Sequence, residues 1–211
     1  MKNFFQKYKH AWVSIYALLY LPWFYYLEQT ITQHYSLIQT SFDKKIPFIE
    51  FFIVPYLLWF AFVATTVIYF FLKDRSDFYR LFLFLIIGMT AFLIISTVYP
   101  NGQTLRPTTF ARDNIFVEMV KNLYKTDTPT NIFPSIHVYN TLGACIAIFK
   151  NDVLRKIKWV QIVNFTLSLS IILSTIFLKQ HSILDMVGAF AIGIPAYWLA
   201  YRVLHFQKQN T

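Results

Sequence analysis

An all-α membrane bundle of six transmembrane helices is the fold class this sequence predicts, on three observations. Of 211 residues, 56% are hydrophobic and 14% charged, where a soluble domain carries about 25% charged residues. The apolar residues gather in six windows nearly free of charge. Between the windows, basic residues favour one set of connections over the other. The first observation excludes a disordered chain and argues against a water-soluble domain; the second counts the spans; the third orients them.

The first window, Ala11–Leu27, follows Lys2, Lys7 and Lys9, the layout of a secretory signal as well as of a span. It runs into Glu28 without a small-residue cleavage pattern, so it is read as a retained helix. Phe51–Leu72 and Leu81–Tyr99 are uninterrupted by charge and long enough to cross. Val138–Phe149 is the shortest, at 12 residues. Pro134, a good first helical residue, extends it to ~24 Å, still below the ~30 Å of a hydrocarbon core. Trp159–Leu178 is again free of charge, and Ile183–Leu204 carries only Asp185 and Arg202.

The net charge of +9 and 19 basic residues raise the question of nucleic acid, but their distribution answers it. With the N-terminus inside, the inner connections hold 12 basic residues and the outer ones 7. That bias predicts cytoplasmic termini in a plasma-membrane protein and assigns the excess charge to topology, with no nucleic-acid partner. A single cysteine, Cys145, removes any intramolecular disulfide and any cysteine-rich zinc site. No repeat or flexible linker divides residues 1–211, so one membrane-embedded domain is expected. Two longer stretches, Glu28–Pro47 and Pro100–Phe133, emerge on the outer side. The first suits either a short interfacial amphipathic helix or an ordinary loop; the second is long enough to carry function.

Ionisable groups at span ends are costly to desolvate and mark candidate chemistry. Outside the inner loops they form three groups: Arg106 before Pro107, His137 after Pro134-Ser135-Ile136, and Lys179 through His181 to Asp185. Parity puts the third-to-fourth and fifth-to-sixth connections on one face, so these groups can meet. The fourth and sixth helices enter from that face and turn their N-termini toward it, where an anion such as phosphate is favoured. His181 and Asp185, four apart, share one side of a helix. A carboxylate on one imidazole nitrogen leaves the other as an unprotonated nucleophile, and His137 is then available as the acid for a departing alkoxide. Arg106 and Lys179 supply positive charge for a transferring phosphoryl group. The constellation needs no metal or cofactor. A His-x3-Asp pair also suits a metal ion, although no further Cys, His or Glu cluster completes a coordination shell.

These residues resemble the type 2 phosphatidic acid phosphatase superfamily, which has the motifs Lys-x6-Arg-Pro, Pro-Ser-Gly-His and Ser-Arg-x5-His-x3-Asp. Here they stand as Tyr99-x6-Arg106-Pro107, Pro134-Ser135-Ile136-His137 and Ser174-Thr175-x5-His181-x3-Asp185. Order and internal spacing match. The resemblance implies a six-helix lipid phosphatase in which His181 forms a phosphohistidine, Asp185 orients it and His137 is the general acid. Arg106 and Ser135 would hold phosphate. Three motif residues differ, Tyr99 for lysine, Ile136 for glycine and Thr175 for arginine, and Lys179 is the substitute cation.

The function expected is therefore metal-independent hydrolysis of a membrane lipid phosphate or diphosphate at the extracytoplasmic face. Two other readings remain open on the same scaffold. One is a lipid phosphotransferase similar to sphingomyelin or inositol-phosphorylceramide synthases, and the other is a non-catalytic lipid-binding protein. Tyr99 is expected at the membrane interface, and Arg112, Lys121 and Lys125 as solvated or lipid-facing charges.

Overall fold

The computed structural model describes residues 9–204; Lys2, Lys7 and Lys208, three of the cations behind the predicted orientation, lie outside them. Each of the six windows is helical. A 3-10 segment, Lys9–Ile15, leads into α1, Tyr16–Thr30. The others are α3, Ile53–Lys73; α4, Arg75–Val98; α6, Ile136–Lys150; α7, Lys158–Phe177; and α8, Ile183–Trp198, which continues as a π turn, Leu199–Val203. Between them lie α2, Ser41–Lys45, and α5, Ile115–Thr126.

By length and composition, four of the described helices qualify to cross a membrane: Glu50–Lys73, Arg75–Val98, Lys158–Phe177 and Ile183–Val203. Of the six spans expected, these four meet that measure among the described residues. Helices α1 and α6 have 15 residues each, or ~22 Å, too short alone for ~30 Å of hydrocarbon. Pro134 does not lengthen α6, because Ser135 takes the N-cap in extended backbone and the helix begins at Ile136. A Ser there satisfies an orphan amide, its Oγ accepting from Val138 N at 3.3 Å.

Helix α6 is nevertheless the centre of the bundle, packed against α3, α4, α7 and α8. Its inward residues are small where neighbours come closest: Gly143, Ala144 and Ala147 are buried, and a Cβ on Gly143 would sit 2.7 Å from the Phe84 ring. Leu18, Phe60, Ile68, Ile162, Phe165 and Ile194 are exposed on other helices. Apolar surface of that extent belongs against lipid, and the chain is a membrane protein.

The connections around the start of α6 are tied to one another. Ser36–Leu37 (β1) pairs in parallel with Asn101–Gly102 (β2), and Gly102 bridges Thr130. Buried Asn101 organises the approach to α6: its Oδ1 accepts from Ile132 N and Phe133 N, both at 2.9 Å, and its carbonyl accepts from Asn131 N at 2.7 Å. Residues Glu28–Pro47 form no amphipathic helix. They run through β1 into α2, whose Thr40–Asp43 capping box ends the extended run. Of the loop cations, Arg112 is exposed, as expected, and also pairs with buried Glu50 at 3.0 Å.

Candidate active site

The start of α6 and the start of α8 meet. Ser135 N donates to Asp185 O at 3.2 Å, and the rings of His137 and His181 stand 5.7 Å apart between centroids. Both line one cavity of about 60 Å³, with Phe24, Glu28, Asp127, Asn131 and Gln180 among the remaining walls.

His181 is held by its backbone and by one carboxylate. Helix α7 ends in a turn where Thr175 O accepts from both Gln180 N and His181 N at 3.0 Å, and Lys179 takes φ +54°. That left-handed conformation is uncommon for a residue with a Cβ. His181 Nδ1 lies 3.3 Å from Asp185 Oδ2, which also accepts from Ser182 N at 2.8 Å. Asp185 thus closes the capping box of α8 and faces the imidazole with the same oxygen. With Nδ1 turned to a carboxylate, Nε2 is the nitrogen left for chemistry.

Among the described residues, His137 has no carboxylate partner. Its ring packs on Tyr56 at 4.6 Å and Trp59 at 4.3 Å between centroids, and its buried Nε2 has no hydrogen-bond partner among the described residues. Tyr56 in turn donates to Asp127 Oδ2 at 3.1 Å.

The two cations expected to meet phosphate are engaged elsewhere. Lys179 Nζ donates to Asp43 O and Ile46 O, both at 2.5 Å, and it does not line the cavity. Burial holds its pKa below the ordinary lysine value, with neighbouring Asp43 opposing the shift. Arg106 donates to Asp127 O at 2.7 Å, Thr128 O at 3.0 Å and Tyr124 O at 3.3 Å, with its guanidinium 4.6 Å from the Tyr124 ring centroid. It braces the loop behind the cavity. Ser135 is buried as the α6 cap.

The N-terminus of α8 is likewise filled from within the chain. Asp43, 1% exposed, receives Ile183 N at 2.8 Å and Ser182 Oγ at 3.1 Å on its carboxylate. An anion does sit where helix geometry favours one, but it is a side chain of α2, in the connection between α1 and α3. Burial would raise the Asp43 pKa; hydrogen bonds from Ile183, Thr40 and Ser182 outweigh it and hold the carboxyl below its ordinary value.

A family model described as the PAP2 superfamily matches residues 102–209. The chain belongs to the PAP2 superfamily. No curated protein and no solved structure matches it. The PAP2 match contains Arg106, the Pro134–His137 segment, His181 and Asp185, and membership supports activity of the phosphatase or phosphotransferase type. In this PAP2 chain Glu28 and Asp127 also reach the cavity, and sequence reasoning missed both. Glu28 comes from outside the matched residues and Asp127 from an irregular turn, so neither lies in a motif or a periodic face. The one available signal for Glu28 was its place at the end of the first apolar window.

Proposed function

We propose that the chain is a metal-independent membrane lipid phosphatase that hydrolyses a lipid phosphate or diphosphate through a phosphohistidine. The observation that carries the reading is the pair of imidazoles in one cavity, 5.7 Å apart, with Asp185 on only one of them. His181 Nε2 attacks phosphorus, and the bond from phosphorus to the lipid oxygen breaks. The departing alkoxide takes the proton of His137, so no free alkoxide forms. His137 then removes a proton from water as the water oxygen attacks the phosphohistidine. The phosphorus–nitrogen bond breaks, phosphate leaves, and both rings return to their starting states. The positive end of the α6 dipole and the charge of Arg106 favour the phosphoryl group, and Ser135 holds the start of α6 in place. Lys179 contributes by anchoring the loop beneath α8 rather than by touching phosphate.

Under this reading α1 and α6 complete a single six-span domain over residues 1–211, with α6 reaching across inside a sleeve of four helices. Cytoplasmic termini in a plasma membrane put the cavity on the extracytoplasmic side, where the lipid tail lies among the helices. The test is a phosphate-release assay with phosphatidic acid, phosphatidylglycerophosphate and polyprenyl diphosphate, with the phosphoenzyme trapped by rapid quench. Acid-labile, base-stable label on the protein, lost in His181→Ala, is expected. Turnover without any label on histidine would refute the covalent step.

A further inference from the structure

One wall of the cavity plays no part in the phosphoryl chemistry. Glu28, Asp127, Asn131 and Gln180 line it, and hydrogen bonds set the orientation of both amides. Asn131 Nδ2 donates to Glu28 Oε1 at 2.9 Å, and Gln180 Nε2 donates to Asp127 Oδ2 at 2.9 Å. Glu28 Oε1 and Asp127 Oδ2 are the acceptors of these bonds, so flipping either amide would set oxygen against oxygen. The amide oxygens are therefore the surplus groups. Asn131 is 6% and Gln180 2% exposed, and Asn131 Oδ1 and Gln180 Oε1 are buried without a hydrogen-bond partner among the described residues. Native structures leave few such groups unpaired, because an unmet buried acceptor keeps its full desolvation cost. The nearby cations do not meet this need: Arg106 donates through its terminal nitrogens to loop carbonyls, and Lys179 donates to Asp43 and Ile46.

We propose that this acceptor-only wall is a head-group subsite for a primary ammonium, so that the reacting molecule carries an amine beside its phosphate. The inference rests on the reading of the cavity as a phosphate site and names the substrate class for it. An ammonium brings three N–H donors and no acceptor, which suits two carboxylates and two unpaired amide oxygens. It is also compact, as a cavity of about 60 Å³ requires. A quaternary ammonium offers no N–H donor and would leave both oxygens unmet. A substrate bearing its own positive charge also explains why Tyr99 and Thr175 stand where the resembled motifs have lysine and arginine.

The test is calorimetric titration of the full-length protein in detergent with O-phosphoethanolamine, propyl phosphate, glycerol 3-phosphate and ethanolamine. Propyl phosphate matches O-phosphoethanolamine in length but ends in methyl. O-phosphoethanolamine is expected to bind at least about tenfold more tightly than propyl phosphate, as charged hydrogen bonds would give. Glu28→Gln should reduce that advantage to about threefold or less and leave propyl phosphate within about twofold. Equal affinities for the pair would overturn the ammonium subsite while the phosphate reading stood. An equal gain by glycerol 3-phosphate would overturn it in favour of a hydroxyl-binding wall. Ethanolamine binding as tightly as its phosphate ester would overturn the phosphate reading beneath it. The wild-type comparison requires no variant, so a Glu28→Gln protein that fails to fold leaves the test decisive.

Discussion

His137 and His181 sit at the starts of two helices bonded to each other, yet their surroundings are opposite in kind. His181 has a carboxylate on Nδ1, a helix cap that shares that carboxylate, and a turn whose hydrogen bonds set its backbone. His137 lies against Tyr56 and Trp59, with no acidic partner and an unpartnered Nε2 among the described residues. A carboxylate fixes tautomer and direction, which an attacking nitrogen requires. Packing on the Tyr56 and Trp59 rings fixes the plane of the His137 imidazole and sets no carboxylate against it. Under the proposed function, this difference is what supports attack by His181 and proton delivery by His137, a distinction that two histidines in a sequence do not themselves carry.

The comparison can be broken at either ring. His181→Ala should lower phosphate release by about 10⁵-fold or more, as losses of nucleophiles do, and equally for alkyl and aryl phosphates. His137→Ala should cost about 10²–10⁴-fold with an alkyl ester and far less with p-nitrophenyl phosphate, whose leaving group departs without a proton. Matching losses for both esters in His137→Ala would remove the acid role. The leaving-group series thus separates the two imidazoles more sharply than either rate alone.

Smaller effects should follow from the support beneath His181. Asp43→Ala removes the acceptor of Ile183 N and Ser182 Oγ, and is expected to lower stability by about 2–3 kcal/mol in thermal unfolding. Because the folded-state pKa of Asp43 is depressed, its contribution is complete above the ordinary carboxylate range and fades as pH falls through the lowered value. Asp43→Asn should therefore flatten the acid limb of the stability profile, and an unchanged limb would show that the carboxylate is not what holds α8. Smallest of all is the response to EDTA, expected to leave phosphate release unaltered; loss restored by zinc or magnesium would return the His-x3-Asp pair to metal chemistry.

Much of the scaffold was legible in the sequence because apolar runs and helix parity are local properties. Parity alone brought residues 137 and 181 to one face, and the four-residue spacing put Asp185 beside His181. The fates of Lys179 and Arg106 were not legible. Each is a cation near a motif, and whether it meets a ligand or a backbone carbonyl depends on how distant loops fold over it. Asp43 lies 139 residues from Ser182, in a stretch with no periodicity, so nothing marked it as the cap of another helix. The length of α6 was overestimated because Pro134 is compatible with a first helical turn, while Ser135 made the better cap.

The bond from Ser135 N to Asp185 O is made entirely by main chain. Registration of the two rings is thereby independent of which side chains clothe the surrounding pocket, as long as neither helix start is displaced. Under the proposed mechanism, selectivity can then drift through substitutions at positions such as 28 or 127 without changing the spacing of the two imidazoles.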